Sequence, residues 1–163
     1  LNYINGQHLR AMPLEKIISE VDKVVPVESP YHKQSSEWKL ACMTVFKDQM
    51  NFFSDVNNHL WLLFENRSDE SQDYKDACGW ETTPKIREYL TSEVEKHLSE
   101  GKEFVTQEVF NSWSEHCKGE LKIKGKQLFM GMRACLTLQA HGPELKFIIP
   151  LTSLKLLRER LKA

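Results

Sequence analysis

A chain of 163 residues, 40% hydrophobic and 28% charged, is long enough to bury a sizeable core, as one domain or as two small helical lobes. No apolar run approaches the roughly 18 residues that cross a bilayer, and the start lacks the basic, apolar, small-residue order of a signal peptide. Membrane-spanning classes are thereby excluded, and a soluble, cytoplasmic protein with no membrane partner is expected.

The formal net charge of −1 hides a split. From Lys118 onward ten basic residues stand against three acidic ones, a net of +7, and the preceding residues hold twelve against twenty, a net of −8. Such asymmetry points the basic part at nucleic acid or an anionic surface and leaves the acidic part to keep the chain soluble. The four cysteines, Cys42, Cys78, Cys117 and Cys135, show no two- to four-residue pairing, so they read as reduced small hydrophobes.

In chain order, Asn5-Gly6 is a turn signal and His8 a packed or surface histidine. Pro13 suits the first turn of a helix whose Leu14, Ile17, Ile18, Val21 and Val24 recur at three and four residues, forming one apolar face. Pro26 and Pro30 end it, and 25–34 is a connection. Ser35-Ser36 offer hydroxyl caps to a helix lined by Trp38, Ala41, Cys42 and Val45. The periodicity predicts another helix over 51–64, with Phe53, Val56, Leu60, Leu63 and Phe64 inward and Phe52 and Trp61 widening the stripe. The polar, mostly acidic stretch 65–76 reads as a loop.

Thr82-Thr83-Pro84 signals the start of a helix carrying Ile86, Tyr89, Leu90, Val94 and Leu98, closed by Gly101. Thr106 caps the next, with Val109, Phe110, Trp113 and Cys117 inward and Gly119 as its stop. Lysines then accumulate at 118, 122, 124 and 126, leading into a basic helix with Leu128, Phe129, Met132 and Leu136 as core and Arg133 beside them. That helix is expected to stop near His141-Gly142, with Gly142 left-handed and Pro143 opening the next helix at a tight corner. Leu145 to Ile149 end at Pro150, and Thr152-Ser153 cap a last helix with Leu154, Leu157 and Leu161 inward and Arg158, Arg160 and Lys162 toward solvent. No alternating β-rich run competes, so an all-α architecture is expected, with helical lobe structure over 1–117 and a basic lobe over 118–163.

Familiar catalytic patterns are missing. His116-Cys117 point about 100° apart on a helix and cannot chelate one ion alone. There is no Gly-x-Ser-x-Gly elbow, and Gly119 to Lys126 departs from a phosphate-binding loop, with one residue too many between its glycines and Gln127 where Ser or Thr belongs. No catalytic or metal-binding residue is assigned.

Gly125-Lys126-x-Leu128-x-x-x-x-Arg133-x-x-Leu136-Thr137, followed by Gly142-Pro143-x-Leu145, resembles the carboxy-terminal region of bacterial and organellar glutamyl-tRNA synthetases. Near the start, Leu1, Tyr3, Asn5, His8 and Arg10 stand where that family passes from its catalytic part to its helical part. The resemblance covers essentially the whole chain but only the helical, anticodon-binding portion of the enzyme. It implies that Arg133, Gly142, Pro143 and Leu145 meet anticodon bases, with Lys126, Lys124 and Lys122 near phosphates. It implies a glutamate tRNA as partner, with glutamine tRNA left open, and a class I ligase whose catalytic domain holds ATP and magnesium. The His-Ile-Gly-His-like and Lys-Met-Ser-Lys-Ser-like motifs of that domain do not occur here, so the chain alone is expected to be inactive, and its start at Leu1 reads as that of an excised fragment.

Three departures stand out: Leu138 where the family commonly has Gly, Leu151-Thr152 in place of a Leu-Gly step, and Phe46, before Met50, where many members place an arginine. The competing reading is a helical protein-interaction module without RNA binding, and a small metal-dependent or cysteine enzyme is a third.

Overall fold

The computed structural model describes residues 2–163, with side chains from Gly6 onward. Leu1 and the side chains of Tyr3 and Asn5, from the amino-terminal motif, lie outside the described residues. Among the described residues ten α-helices and short 3₁₀ turns occur without a strand, so the architecture is all-α. The chain divides into two units, Leu1–Phe64 and Glu65–Ala163. The division drawn from charge at 117/118 falls inside the second unit, because charge is a surface property and the helices on either side of it share one core.

In the first unit α1 (Asn2–Ala11) runs straight through the expected Asn5-Gly6 turn. Gly6 is there for close approach: a Cβ at this position would collide with Asn51 Oδ1 and come within 3.1 Å of Arg10 Nη1. Arg10 Nη1 donates to the Met50 carbonyl at 2.9 Å, pinning that loop to α1. Helix α2 (Leu14–Val24) starts after Pro13 and buries Ile17 and Val21. A 3₁₀ turn, Pro30–Lys33, carries Tyr31 into the core, where its hydroxyl donates to Asp22 Oδ1 at 2.9 Å. Ser35 Oγ accepts from Trp38 N at 3.1 Å and caps α3 (Ser36–Phe46), which buries Trp38, Cys42, Met43 and Phe46 and leaves Ala41 exposed.

The helix predicted over 51–64 is instead a 3₁₀ stretch, Phe53–Asn58, and the short α4 (Trp61–Phe64). The Asp55 carboxylate accepts from the amides of Asn51 and Phe52 at 2.8 and 3.0 Å, a local bond that competes with helix formation. Val56, Leu60 and Leu63 are still buried, and Phe52 is exposed.

The second unit opens with a helix where a loop was expected. Helix α5 (Gln72–Gly79) is capped by Ser71 Oγ, which accepts from Tyr74 N at 3.2 Å, and it buries only Ala77, so no apolar period announces it. Next come α6 (Thr83–Ser99) and α7 (Gln107–Gly119). Thr106 Oγ1 caps α7 as expected, accepting from Val109 N at 3.1 Å. The Thr82 hydroxyl does not cap α6 but donates to Gln127 Oε1 at 3.0 Å. Helices α8 (Lys126–Thr137), α9 (Leu145–Ile148) and α10 (Leu154–Leu161) complete the unit, α10 being capped by Ser153 Oγ. Helices α6, α8 and α10 pack on one another around Ile86, Leu90, Leu128, Met132 and Leu157, with α5 against α8 and α7 against α8 and α9.

Arg160, expected at the surface, is 1% exposed. Its Nη1 donates to the Leu136 carbonyl at 3.1 Å, its Nε to Asn66 Oδ1 at 3.1 Å and its Nη2 to the Glu65 carbonyl at 2.7 Å. Burial pushes the guanidinium pKa down to about 10 against the opposing pull of Glu159, and the planar fork donates to the three oxygens just named. Removing it leaves buried acceptors without a donor, at roughly 1–3 kcal/mol per group. Arg160→Ala is therefore expected to lower stability by about 3 kcal/mol, seen as a reduced urea midpoint with an unchanged slope, and Arg160→Lys to recover little of it. A midpoint equal to wild type would remove Arg160 from the stabilising framework.

Candidate nucleic-acid interface

Helix α8 carries two stripes. Leu128, Met132, Cys135 and Leu136 point into the core. Lys126, Phe129 and Arg133, spaced three and four residues apart, share another side. Phe129, expected in the core, is 58% exposed. Adjacent helical residues point about 100° apart, and it is Leu128 that faces the core here.

The helix stops at Thr137, four residues before the expected stop. Leu138 supplies the left-handed residue, at φ 60° and ψ 24°, and its N–H donates to the Ala134 carbonyl. This conformation costs a leucine about 1–2 kcal/mol. Its side chain is buried, which returns roughly 2–3 kcal/mol, so leucine holds a position that glycine would fill with less backbone strain. Gly142 has φ 156°, not the helix-closing conformation, and Pro143 precedes the N-cap residue of α9, Glu144, rather than opening the helix.

The loop between α8 and α9 is held by the acidic stretch that the sequence suggested was free. Asp69 N donates to the Leu138 carbonyl at 3.1 Å, and the Asp69 carboxylate accepts from Ala140 N at 2.9 Å and Ser71 N at 2.8 Å. Gln139 Nε2 donates to the Arg67 carbonyl at 2.6 Å, and His141 Nε2 meets Asp73 Oδ2 at 2.8 Å.

Arg133 crosses the corner from the other side. Its Nη1 donates to the Pro143 carbonyl at 2.8 Å, and burial pushes its pKa below the ordinary arginine value. A Cβ on residue 142 would stand 3.2 Å from that nitrogen, which is why glycine suits the position. Beside it opens a cleft of about 380 Å³, with Phe110 and Met132 as its apolar lining, Asn111 and Ser114 from α7, Phe129 and Arg133 from α8, and Glu144, Leu145 and Lys146 around α9. Phe147 is 46% exposed, with Lys146 Nζ 5.1 Å from its ring centroid.

The structure thus gathers Arg133, Gly142, Pro143 and Leu145 at one corner, with Lys126 two helical turns away on the same stripe. Lys122 and Lys124 are exposed in the turn before α8, at its opposite end. The amino terminus of α8 has no side-chain cap and no acidic residue in its first turn, so its amide dipole is not offset by a carboxylate of that turn. Phe46 is 1% exposed and stacked on His59 at 5.2 Å, so neither it nor the buried Met50 faces a ligand. Phe129, Asn111, Ser114, Lys146 and Phe147 were missed from sequence. The available signal was that Phe129 stands three residues after Lys126 and four before Arg133.

The unit is thus an all-helical domain with a basic and aromatic stripe leading to a walled corner. A family model described as an anticodon binding domain matches residues 11–163, and the chain belongs to that family. Its relatives include the glutamate–tRNA ligase of Mesoplasma florum, 31% identical over 159 residues covering 91% of this chain and 30% of that protein. The glutamate–tRNA ligase of Bacillus velezensis is 25% identical over 167 residues, covering 100% of this chain and 34% of that protein. In fold, the chain is similar to a crystal structure of a glutamate tRNA ligase from Elizabethkingia meningosepticum in complex with its amino acid, with TM-score 0.72 and 22% identity, over 99% of this chain and 30% of that one. The chain therefore spans about a third of the length of the relatives it matches, and the resemblance read from its motifs is borne out.

Asp69 makes the corner sensitive to acid. The Ala140 amide, followed by that of Ser71, holds its carboxyl pKa below the usual value. A depressed folded pKa contributes stability above the unfolded pKa, about 4, that is lost as pH falls through the folded value. Asp69→Asn is expected to lower neutral stability by about 1 kcal/mol and to lose part of the acid-dependent decline. Urea midpoints of both proteins from pH 7 to pH 3 test this, and parallel curves would refute it.

Proposed function

We propose that the chain is the tRNA-recognising portion of a cytoplasmic glutamate–tRNA ligase. The observation that carries this reading is the stripe of exposed Lys126 and Phe129 and half-buried Arg133, ending at the corner that Arg133 ties to Pro143. Family membership and the ligase relatives support it. An anticodon loop is single-stranded, so its bases splay out to be stacked and hydrogen-bonded along their edges, which suits a walled corner better than a flat surface. In this reading Lys122, Lys124 and Lys126 meet phosphates, and Arg133 with Gly142, Pro143 and Leu145 shapes the seat for the bases. Discrimination of glutamate from glutamine tRNA is not assigned to Phe46, since that side chain belongs to the core.

The same proposal assigns ATP, magnesium and the attachment of glutamate to a catalytic domain outside these residues, and no residue here is given a role in them. Purified chain supplied with ATP, glutamate and tRNA is expected to show no pyrophosphate exchange above background. Robust exchange would overturn this division of labour.

Binding is expected to weaken as salt rises, because lysines that neutralise phosphates release counterions. A hairpin carrying a glutamate-tRNA anticodon loop, titrated at several salt concentrations, tests this. Replacing Lys122, Lys124 and Lys126 together with Ala should reduce the slope of log affinity against log salt by about 2–3. Arg133→Ala should weaken the same hairpin by about 1–3 kcal/mol and also lower the melting temperature, since its bond to Pro143 supports the corner. No binding at low salt would favour a protein-interaction module.

A further inference from the structure

We infer that Cys78 and Cys135 are an oxidisable thiol pair, which hydrogen peroxide, as a two-electron oxidant, joins into a disulfide stapling α5 to α8. The inference stands on the packing of the second unit and does not depend on RNA binding. Helix α5 is fastened along α8 at both ends. Near its start Asp73 Oδ2 meets His141 Nε2 at 2.8 Å. At its other end the Ala77 carbonyl accepts from Thr83 Oγ1, and that same oxygen would lie 3.7 Å from a Cβ at Gly131. Cys78 follows Ala77, and Cys135 stands one helical turn after Gly131, so both thiols are brought to the α5–α8 contact. Tyr74, one turn before Cys78, is hydrogen-bonded to its thiol and lies within electrostatic reach of Cys135 and Arg87.

Arg87 singles out this pair among the four cysteines. Its Nε is buried and has no hydrogen-bond acceptor among the described residues. A buried donor without an acceptor is destabilising, and a thiolate beside it would relieve that cost. Burial raises the Cys135 pKa to about 11, and Arg87 pulls against the rise. Cys42 and Cys117 are fully buried, and burial raises the pKa of both with no cation opposing it. Cys78 is the partly exposed thiol, so it is the one a peroxide meets first. Its thiolate attacks one peroxide oxygen, the O–O bond breaks, and the released hydroxide takes a proton and leaves as water. The Cys135 thiol then loses its proton and attacks the sulfur of the sulfenic acid so formed. The S–S bond forms, the S–O bond breaks and a second water leaves, each sulfur having given up one electron and the peroxide having accepted two. Because Asp73, and Asp69 just before α5, hold the loop after α8, the cross-link ties that loop to the redox state of its surroundings.

The test treats the purified chain with hydrogen peroxide and follows intact mass, the non-reduced peptide map and melting temperature, before and after a phosphine reductant. The expected product has lost two hydrogens, joins the Cys78 peptide to the Cys135 peptide, and melts higher than the reduced chain, since a cross-link restricts the unfolded state. Cys135→Ala should leave Cys78 as a sulfenic acid that dimedone traps, Cys78→Ser should form no disulfide, and Cys42→Ser should react as wild type. Cys78 is partly exposed, so the Cys78→Ser result holds whether or not Cys135→Ala folds. Arg87→Gln should slow the cross-link about tenfold, and Arg87→Lys should restore most of the rate. An unchanged mass, oxygen uptake without loss of two hydrogens, a disulfide through Cys117, a cross-linked chain that melts no higher, or a wild-type rate in Arg87→Gln overturns the inference.

Discussion

The second unit depends on one buried cation. Arg160 reaches from α10 to the Leu136 carbonyl, one of the last four of α8, and to the backbone of Glu65. Those terminal carbonyls have no partner within their own helix, so something must satisfy them where water does not reach. A guanidinium presents several donors in a fixed plane and is less strongly hydrated than an ammonium. One side chain therefore closes a helix end, anchors the segment entering the unit and keeps its charge. Burying a charge is costly, and the carbonyl and amide oxygens of Leu136, Glu65 and Asn66 that accept from the fork offset part of that cost.

From that closure the corner follows. With α8 ended by Leu138 in a left-handed conformation, the chain leaves the helix toward the acidic segment, where Asp69 takes the Ala140 amide and His141 meets Asp73. Arg133 then spans the bend to Pro143. The charge split thus has two meanings: the lysines and the stripe on α8 remain open to a polyanion, while some of the acids in the other part fasten the loop beside them. Net charge by region describes the first and says nothing of the second.

What was legible in the sequence was whatever a local rule controls. Ser35, Thr106 and Ser153 cap the helices they precede, and apolar recurrence at three and four residues marked α2, α6, α7 and α10. The corner residues Arg133, Gly142, Pro143 and Leu145 were legible as a motif and do come together. What was not legible depended on distant partners. Arg160 reads as surface because its acceptors lie 24 and 95 residues away in sequence. Helix α5 buries only Ala77, so its polar pattern resembles a loop, and the Asp55 carboxylate diverts 51–64 into a 3₁₀ turn without altering its apolar count. Leu138 is the reverse case: a local rule asks for glycine, and tertiary burial outweighs it.

The two stripes of α8 let one short helix pack a core on one side and present cations and a ring on another. The core stripe must be apolar at a spacing of three and four, and an exposed stripe on the same helix obeys the same spacing, so periodicity alone cannot tell a packed phenylalanine from a presented one. Composition separates them. The buried stripe is apolar throughout, whereas the presented one sets Phe129 between Lys126 and Arg133, so its aromatic ring is flanked by cations. Cations provide attraction that acts over a Debye length and carries little sequence information, while a ring acts only on contact and only on something flat. Both stand on one helix whose end is held by Arg160 and Arg133, which under the proposed function would draw in a flexible anion from a distance and then test its shape against a fixed wall.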